Sequence, residues 1–219
     1  EQKDRQMMKN GYRWIFYILG ILILALGLTL NTKANLGVSP IISTAYITSG
    51  LTGFSFGDVT FVLYCLFVVA ELLLLGKDYK IFLQIPFSIV FTRFLNLFTD
   101  WIPVMQTLPS QLGLLALAII CTGIGAALTV DMEIVPNPGD GIVHAVAKKI
   151  HKEMGFTKNI FDACCICITL CAGFIFNKPF YGIGLGTVLA MIGVGRVIAL
   201  FNKVFKDKCQ ILAGMKDQM

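Results

Sequence analysis

Six stretches of this chain, near residues 14–30, 58–75, 80–98, 111–130, 158–176 and 183–201, are each long and apolar enough to cross a membrane. A hydrocarbon layer about 30 Å thick takes roughly 20 helical residues. Backbone surrounded by lipid finds no water to bond to, so single segments of this kind cross only as α-helices. The fold class that follows is an all-α membrane protein with six transmembrane helices. Composition agrees: 56% of residues are hydrophobic and 14% charged, with a mean hydropathy of +0.77, which excludes an ordinary soluble domain. Lys3, Arg5, Lys9 and Arg13 precede the first stretch, as basic residues precede a signal peptide. That stretch is long for a signal core, however, and no small-residue cleavage site follows it, so it reads as a retained span.

The basic residues are placed unevenly. With the N-terminus on the cytoplasmic side, the inner segments hold 14 Lys and Arg, and the outer ones hold only Lys33 and Lys178. Lys and Arg concentrate on the cytoplasmic side of membrane proteins, so both termini are expected inside. The net charge of +5 is then a topology signal and implies no nucleic-acid partner. Residues 1–11 and 204–219 read as polar cytoplasmic tails. Of the seven cysteines, six fall within apolar spans and Cys209 falls on the inner side, which leaves no extracellular disulfide framework.

Between the tails the chain resembles itself at a period of about 100 residues, the kind of signal sought before single motifs. The end of span one, 26–30 (LGLTL), matches the end of span four, 126–130 (AALTV). Ser39-Pro40 is mirrored by Asn137-Pro138, and each pair opens a short stretch, 40–51 and 138–151. Those stretches are too short to span. Each half, 12–104 and 105–203, therefore reads as span, short helix, span, span. Three crossings per half is an odd number, so the second half is expected to enter the membrane from the opposite side, giving two inverted-topology repeats with broken or re-entrant short helices. If the short stretches crossed as well, there would be eight spans and parallel repeats, which Lys148, Lys149 and Lys152 argue against.

Ser39 and Asn137 are preferred N-cap residues, each set before a Pro at the first helical position, where the missing N–H costs nothing. The positive end of such a helix can hold an anionic group, and broken helices between repeats are where carriers bind solute. Asp140, in the second helix start, is an alternative cap or a contact for a cation or proton. Charged residues within spans are functional candidates because lipid makes them expensive. They are Arg93 and Arg196, expected to meet or neutralise solute, and Glu71 and Asp162, expected to handle a proton or form an ion pair with Arg196. Snorkelling to the interface is the competing account for all four. The glycine run 182–187 resembles a dinucleotide fingerprint, but it opens a membrane span and follows no strand. Close packing or backbone approach explains it better. Cys164, Cys167 and Cys171 share one helix face and read as small packing residues, with no metal partner. His144 and His151 sit on an amphipathic stretch at headgroup level. No cofactor motif, zinc motif or nucleophile with its base is present, so an enzyme is not expected.

Several of these motifs together resemble the YczE/YyaS/YitT group of bacterial membrane proteins: 36–40 (LGVSP), 138–141 (PGDG), the opening of span five from Lys158 to Asp162, and the 182–187 run (GIGLGT). The resemblance extends over residues 12–203. It implies the fold and a bacterial inner-membrane location, and it names no substrate. Where the group tends to carry Pro-x-Asp in both halves, this chain has Pro40-Ile41-Ile42 in the first and keeps only Asp140. Lys158 or Asn159 stands where the group's pattern leads one to expect Arg.

The functional expectation is a small secondary carrier or facilitator for a small organic solute, anions included, bound between the repeats at Ser39, Pro40, Asn137, Pro138 and Asp140. The alternatives are a solute-binding subunit of a larger transport complex, or an accessory membrane protein without transport activity. Expected partners are the lipid bilayer, the solute, and a second copy or partner membrane subunit.

Overall fold

The computed structural model describes residues 2–76, 79–152 and 154–215, the side chains of 2–10, 154 and 155 excepted. It is helical, with helices α1 (Gln2–Lys33), α2 (Pro40–Thr52), α3 (Phe56–Leu75), α4 (Tyr79–Trp101), α5 (Leu108–Asp131), α6 (Pro138–Ile150), α7 (Met154–Ile175), α8 (Leu185–Phe201) and α9 (Asp207–Leu212). Six helical segments are long and apolar enough to cross a membrane: Gly11–Lys33, Phe56–Leu75, Tyr79–Trp101, Leu108–Asp131, Phe156–Ile175 and Leu185–Leu212. At 1.5 Å per residue the 13-residue helices α2 and α6 reach only about 20 Å, too short for the hydrocarbon layer.

The outward surface of the long helices is apolar, with Leu66, Leu73, Ile175 and Leu200 all well exposed, while Thr29, Thr92, Thr129, Gln84 and Glu71 are buried. A chain surrounded by lipid places its polar groups in the bundle interior, where helices can satisfy them. Thr29 and Thr129 do so locally, each hydroxyl donating to the carbonyl four residues back, Ala25 and Gly125.

The bundle is organised around α1 and α5, which pack closely against each other. Gly20 of α1 sits against Leu128 and Thr129, and Gly27 sits against Thr122. Moving up one helix moves down the other, so the two run antiparallel. The remaining contacts come in matched pairs: α1 on α4 with α5 on α8, α2 on α7 with α6 on α3, and α2 on α3 with α6 on α7. Each half follows the order long, short, long, long. The pairing is imperfect, because α3 packs well on α4 while α8 is exposed over most of its length, burying Gly186, Thr187 and Ala190.

The connections before the short helices dip into the bundle. After α5, Arg13 Nε donates to the carbonyl of Met132 (2.8 Å) and Tyr17 Oη to that of Val135 (3.1 Å). Arg13 and Tyr17 are one helical turn apart, so the segment climbs along α1 before α6 starts. The connection before α2 is held by the 182–187 run: Val38 N donates to Gly182 O (2.8 Å) and Gly186 N to Leu36 O (2.6 Å). Gly37, at φ 106°, lies where a Cβ would come 2.5 Å from Gly184 N. The glycines of that run allow backbone to meet backbone.

The segment from 204 is helical to Leu212, passing through a π-helical stretch, Asn202–Lys206. It packs on α1, and it is held by Lys206 Nζ against the buried Asp131 carboxylate (3.0 Å) and by Gln210 donating to Asp131 O (3.3 Å). A buried acid at the end of α5 thus recruits the segment. The N-terminal tail is likewise helical from Gln2 as part of α1. Cys164, Cys167 and Cys171 are exposed, and their neighbour Cys165 is the buried one, so that stripe does not pack within the chain.

Candidate functional site

Ser39 (φ −57°, ψ 137°) and Asn137 (φ −59°, ψ 135°) have nearly the same extended backbone, the conformation that a following proline imposes. Each hands over to a helix at Pro40 or Pro138. The Asn137 side chain accepts from Gly139 N (3.1 Å), whereas Ser39 makes no side-chain cap, leaving the start of α2 without a side-chain acceptor. The two helix starts abut: a Cβ added at Gly139 would lie 2.8 Å from Ile41 Cδ1.

Both starts open on one cavity of 310 Å³, walled by Leu24 and Leu28 of α1, Thr122 and Ala126 of α5, Tyr64 of α3, Lys158, Asn159 and Asp162 of α7, and Ala190, Met191, Val194, Gly195 and Ile198 of α8. Most of this wall is apolar, with a few polar groups converging, as in small-molecule sites. Leu24 and Thr122 lie near the middle of their spans, so the cavity sits deep in the bundle.

Its charged groups come from the second half alone. Lys158 Nζ reaches Asp140 Oδ1 at 3.4 Å. Asp162, one turn further along α7, is 4% exposed. Among the described residues it makes no hydrogen bond and no ion pair within 4 Å, although the charges of Lys158 and Asp140 act on it. Tyr64 is fully buried; its hydroxyl makes no hydrogen bond of acceptable geometry and lies within the electrostatic reach of Asn137 and Asp140. A larger recess of 430 Å³ lies between residues 35–38 and 180–185, but its walls carry no charged side chain, and its two loops are joined by the Val38–Gly182 and Gly186–Leu36 backbone hydrogen bonds.

The expected site residues thus separate. Ser39, Pro40, Asn137, Asp140 and Asp162 line the cavity, and Pro138 stands between two of them at the start of α6. Arg93, Arg196 and Glu71 do not. Arg93 pairs with Asp58 at 3.0 Å, both side chains more than half exposed. Gly195 reaches the cavity, but Arg196, the next residue, is exposed, and its expected ion pair with Glu71 or Asp162 does not form. Glu71 is buried against α6, where its carboxylate accepts from Gln84 Nε2 (2.8 Å). Arg93→Ala is expected to change stability by no more than about 1 kcal/mol, as exposed pairs generally do, which a thermal melt in detergent would measure.

A match to the family of unknown function DUF6198 covers residues 11–203, nearly the whole chain. The chain belongs to the DUF6198 family. It is also 24% identical over 187 residues to the uncharacterized membrane protein YczE of Bacillus subtilis (strain 168), covering 85% of this chain and 83% of that protein. No solved structure matches it.

Two cavity groups of this DUF6198 protein escaped functional reading of the sequence. Lys158 enters the sequence reading through the motif that opens span five, without a role in binding. Its signal was the four-residue spacing to Asp162, which puts both on one helix face. Tyr64 carries no charge and sits in an apolar run, so nothing local distinguishes it from a packing residue.

Proposed function

We propose that this protein is a small carrier that binds a small organic solute in the cavity between the starts of α2 and α6 and moves it across a bacterial cytoplasmic membrane. The observation that carries this reading is the meeting of two half-membrane helices at one deep cavity that holds an unpaired buried carboxylate. Helix ends and intramembrane acids are costly in lipid, and in carriers they line solute paths. The antiparallel α1–α5 contact and the reciprocal packing of α2 on α7 and α6 on α3 support two inverted repeats. Rocking of one repeat against the other would open the cavity to each side in turn.

Saturable uptake of a labelled solute into proteoliposomes containing the purified chain is the expected result. Binding without uptake would point instead to a subunit of a larger complex. Absence of both, over a broad set of metabolites, would sink the carrier reading in favour of an accessory role.

The basic residues support an orientation with both termini in the cytoplasm. In intact cells, an impermeant thiol reagent is then expected to label Lys178→Cys and to leave Lys149→Cys unlabelled until the membrane is opened. These measurements are best made in a background without the exposed native cysteines. The reverse pattern would overturn the orientation.

A further inference from the structure

We infer that the solute carries a positively charged nitrogen, a small organic ammonium group, and that Asp162 is its counter-ion. This rests on the reading of the cavity as a solute site. The two arginines expected to neutralise an anionic solute, Arg93 and Arg196, do not line the cavity: one is paired with Asp58 at an exposed position and the other is exposed on α8. The charges that do face it are Asp140, Asp162 and Lys158. Lys158 and Asp140 meet at 3.4 Å and offset each other, which leaves one negative charge over.

That remaining charge is Asp162, 4% exposed and without a hydrogen bond or an ion pair within 4 Å among the described residues. A carboxyl group set in a largely apolar cavity with no hydrogen bond of its own contributes little to stability, and its charged form gains most from a cation placed beside it. An ammonium ion brought by a ligand supplies the missing partner, with charge-assisted hydrogen bonds of a strength neutral groups do not reach. The second polar contact comes from Tyr64, whose buried hydroxyl stands beside the Asn137 side chain without a well-aligned hydrogen bond, and from Ser39 at the start of α2, which makes no side-chain cap. These suit an oxygen elsewhere on the same molecule. The rest of the wall is apolar and accommodates a short carbon skeleton.

The test is the thermal stability of the full chain in detergent with millimolar ethanolamine, putrescine or choline, set against acetate, lactate and succinate. At least one amine is expected to raise Tm saturably, since a ligand that binds only the folded state stabilises it by mass action, and the acids are not. Asp162→Asn is expected to weaken the amine by about 30-fold or more, the scale for loss of one partner of a buried charge pair. Asp162→Glu is expected to keep a measurable response. Without ligand, Asp162→Asn should melt no lower than the native chain, which separates a binding role from a structural one. Stabilisation by the acids alone, an equal amine response in Asp162→Asn, or no response to any amine overturns the inference. Amine binding without uptake would count against the carrier reading and leave this inference standing. Uptake of an acid without amine binding would do the opposite.

Discussion

Gly125→Val and Gly27→Val are each expected to cost about 3 kcal/mol or more and to reduce sharply the amount of folded protein recovered from membranes. Overpacking a core usually costs about 1–3 kcal/mol, because side chains can shift to make room. Here they cannot. A Cβ at Gly125 would stand 2.7 Å from Leu24 Cα and 2.8 Å from Gly20 O, and one at Gly27 would stand 2.9 Å from Thr122 Cα. Only separation of α1 from α5 relieves backbone contacts of this kind, and that pair is the largest helix–helix contact in the chain. Without water to drive apolar surfaces together, association in lipid depends on this close packing. A loss of that size is a large part of the roughly 5–15 kcal/mol by which proteins are generally stable. Gly113→Ala is the control. It lies in the same helix with nothing within 4 Å of its Cβ position, so it should be neutral or stabilising by up to about 1 kcal/mol from helix propensity. If Gly125→Val melts like Gly113→Ala, the α1–α5 interface described above is wrong.

Lys158→Met is expected to destabilise the chain by about 2–3 kcal/mol. Removing one partner of a fully buried ion pair costs about 3–5 kcal/mol, and the value is reduced here because the Lys158 side chain is 38% exposed. The substitution leaves Asp140 and Asp162 facing one cavity with no cation between them. Asp140→Asn should cost less, since Lys158 then still has Asp162 close by. The double variant Lys158→Met/Asp140→Asn should recover part of the loss, because it removes a stranded charge together with its partner, and contacting residues are not additive. Melting curves of the four proteins close this cycle. Strict additivity would show that the 3.4 Å contact contributes nothing.

The two predictions rest on parts of the molecule that were not equally legible. The glycines of α1 and α5 could be read as small residues in spans, but not as each other's neighbours. The helix starts at Ser39-Pro40 and Asn137-Pro138 were readable, since a proline and the residue before it constrain their own backbone wherever they stand, but not that only Asn137 would cap with its side chain. The π-helical stretch and α9 were not, because Lys203, Lys206 and Lys208 give that segment a polar composition. What orders it is the buried carboxylate of Asp131, some 75 positions earlier in the chain.

The number of spans, the two short helices and their starting points were determined by the sequence alone, because length, hydropathy and capping are local properties that any lipid-embedded backbone must obey. Which charges meet was decided only by the tertiary structure. Successive residues on an α-helix differ in direction by about 100°, so Gly195 faces the cavity and Arg196 faces out, although they are adjacent. Asp162 and Lys158 converge on Asp140 only because α7 is rotated and set beside α6 as it is. Rotation about a helix axis is set by packing against distant partners, and the residue types along that helix do not specify it.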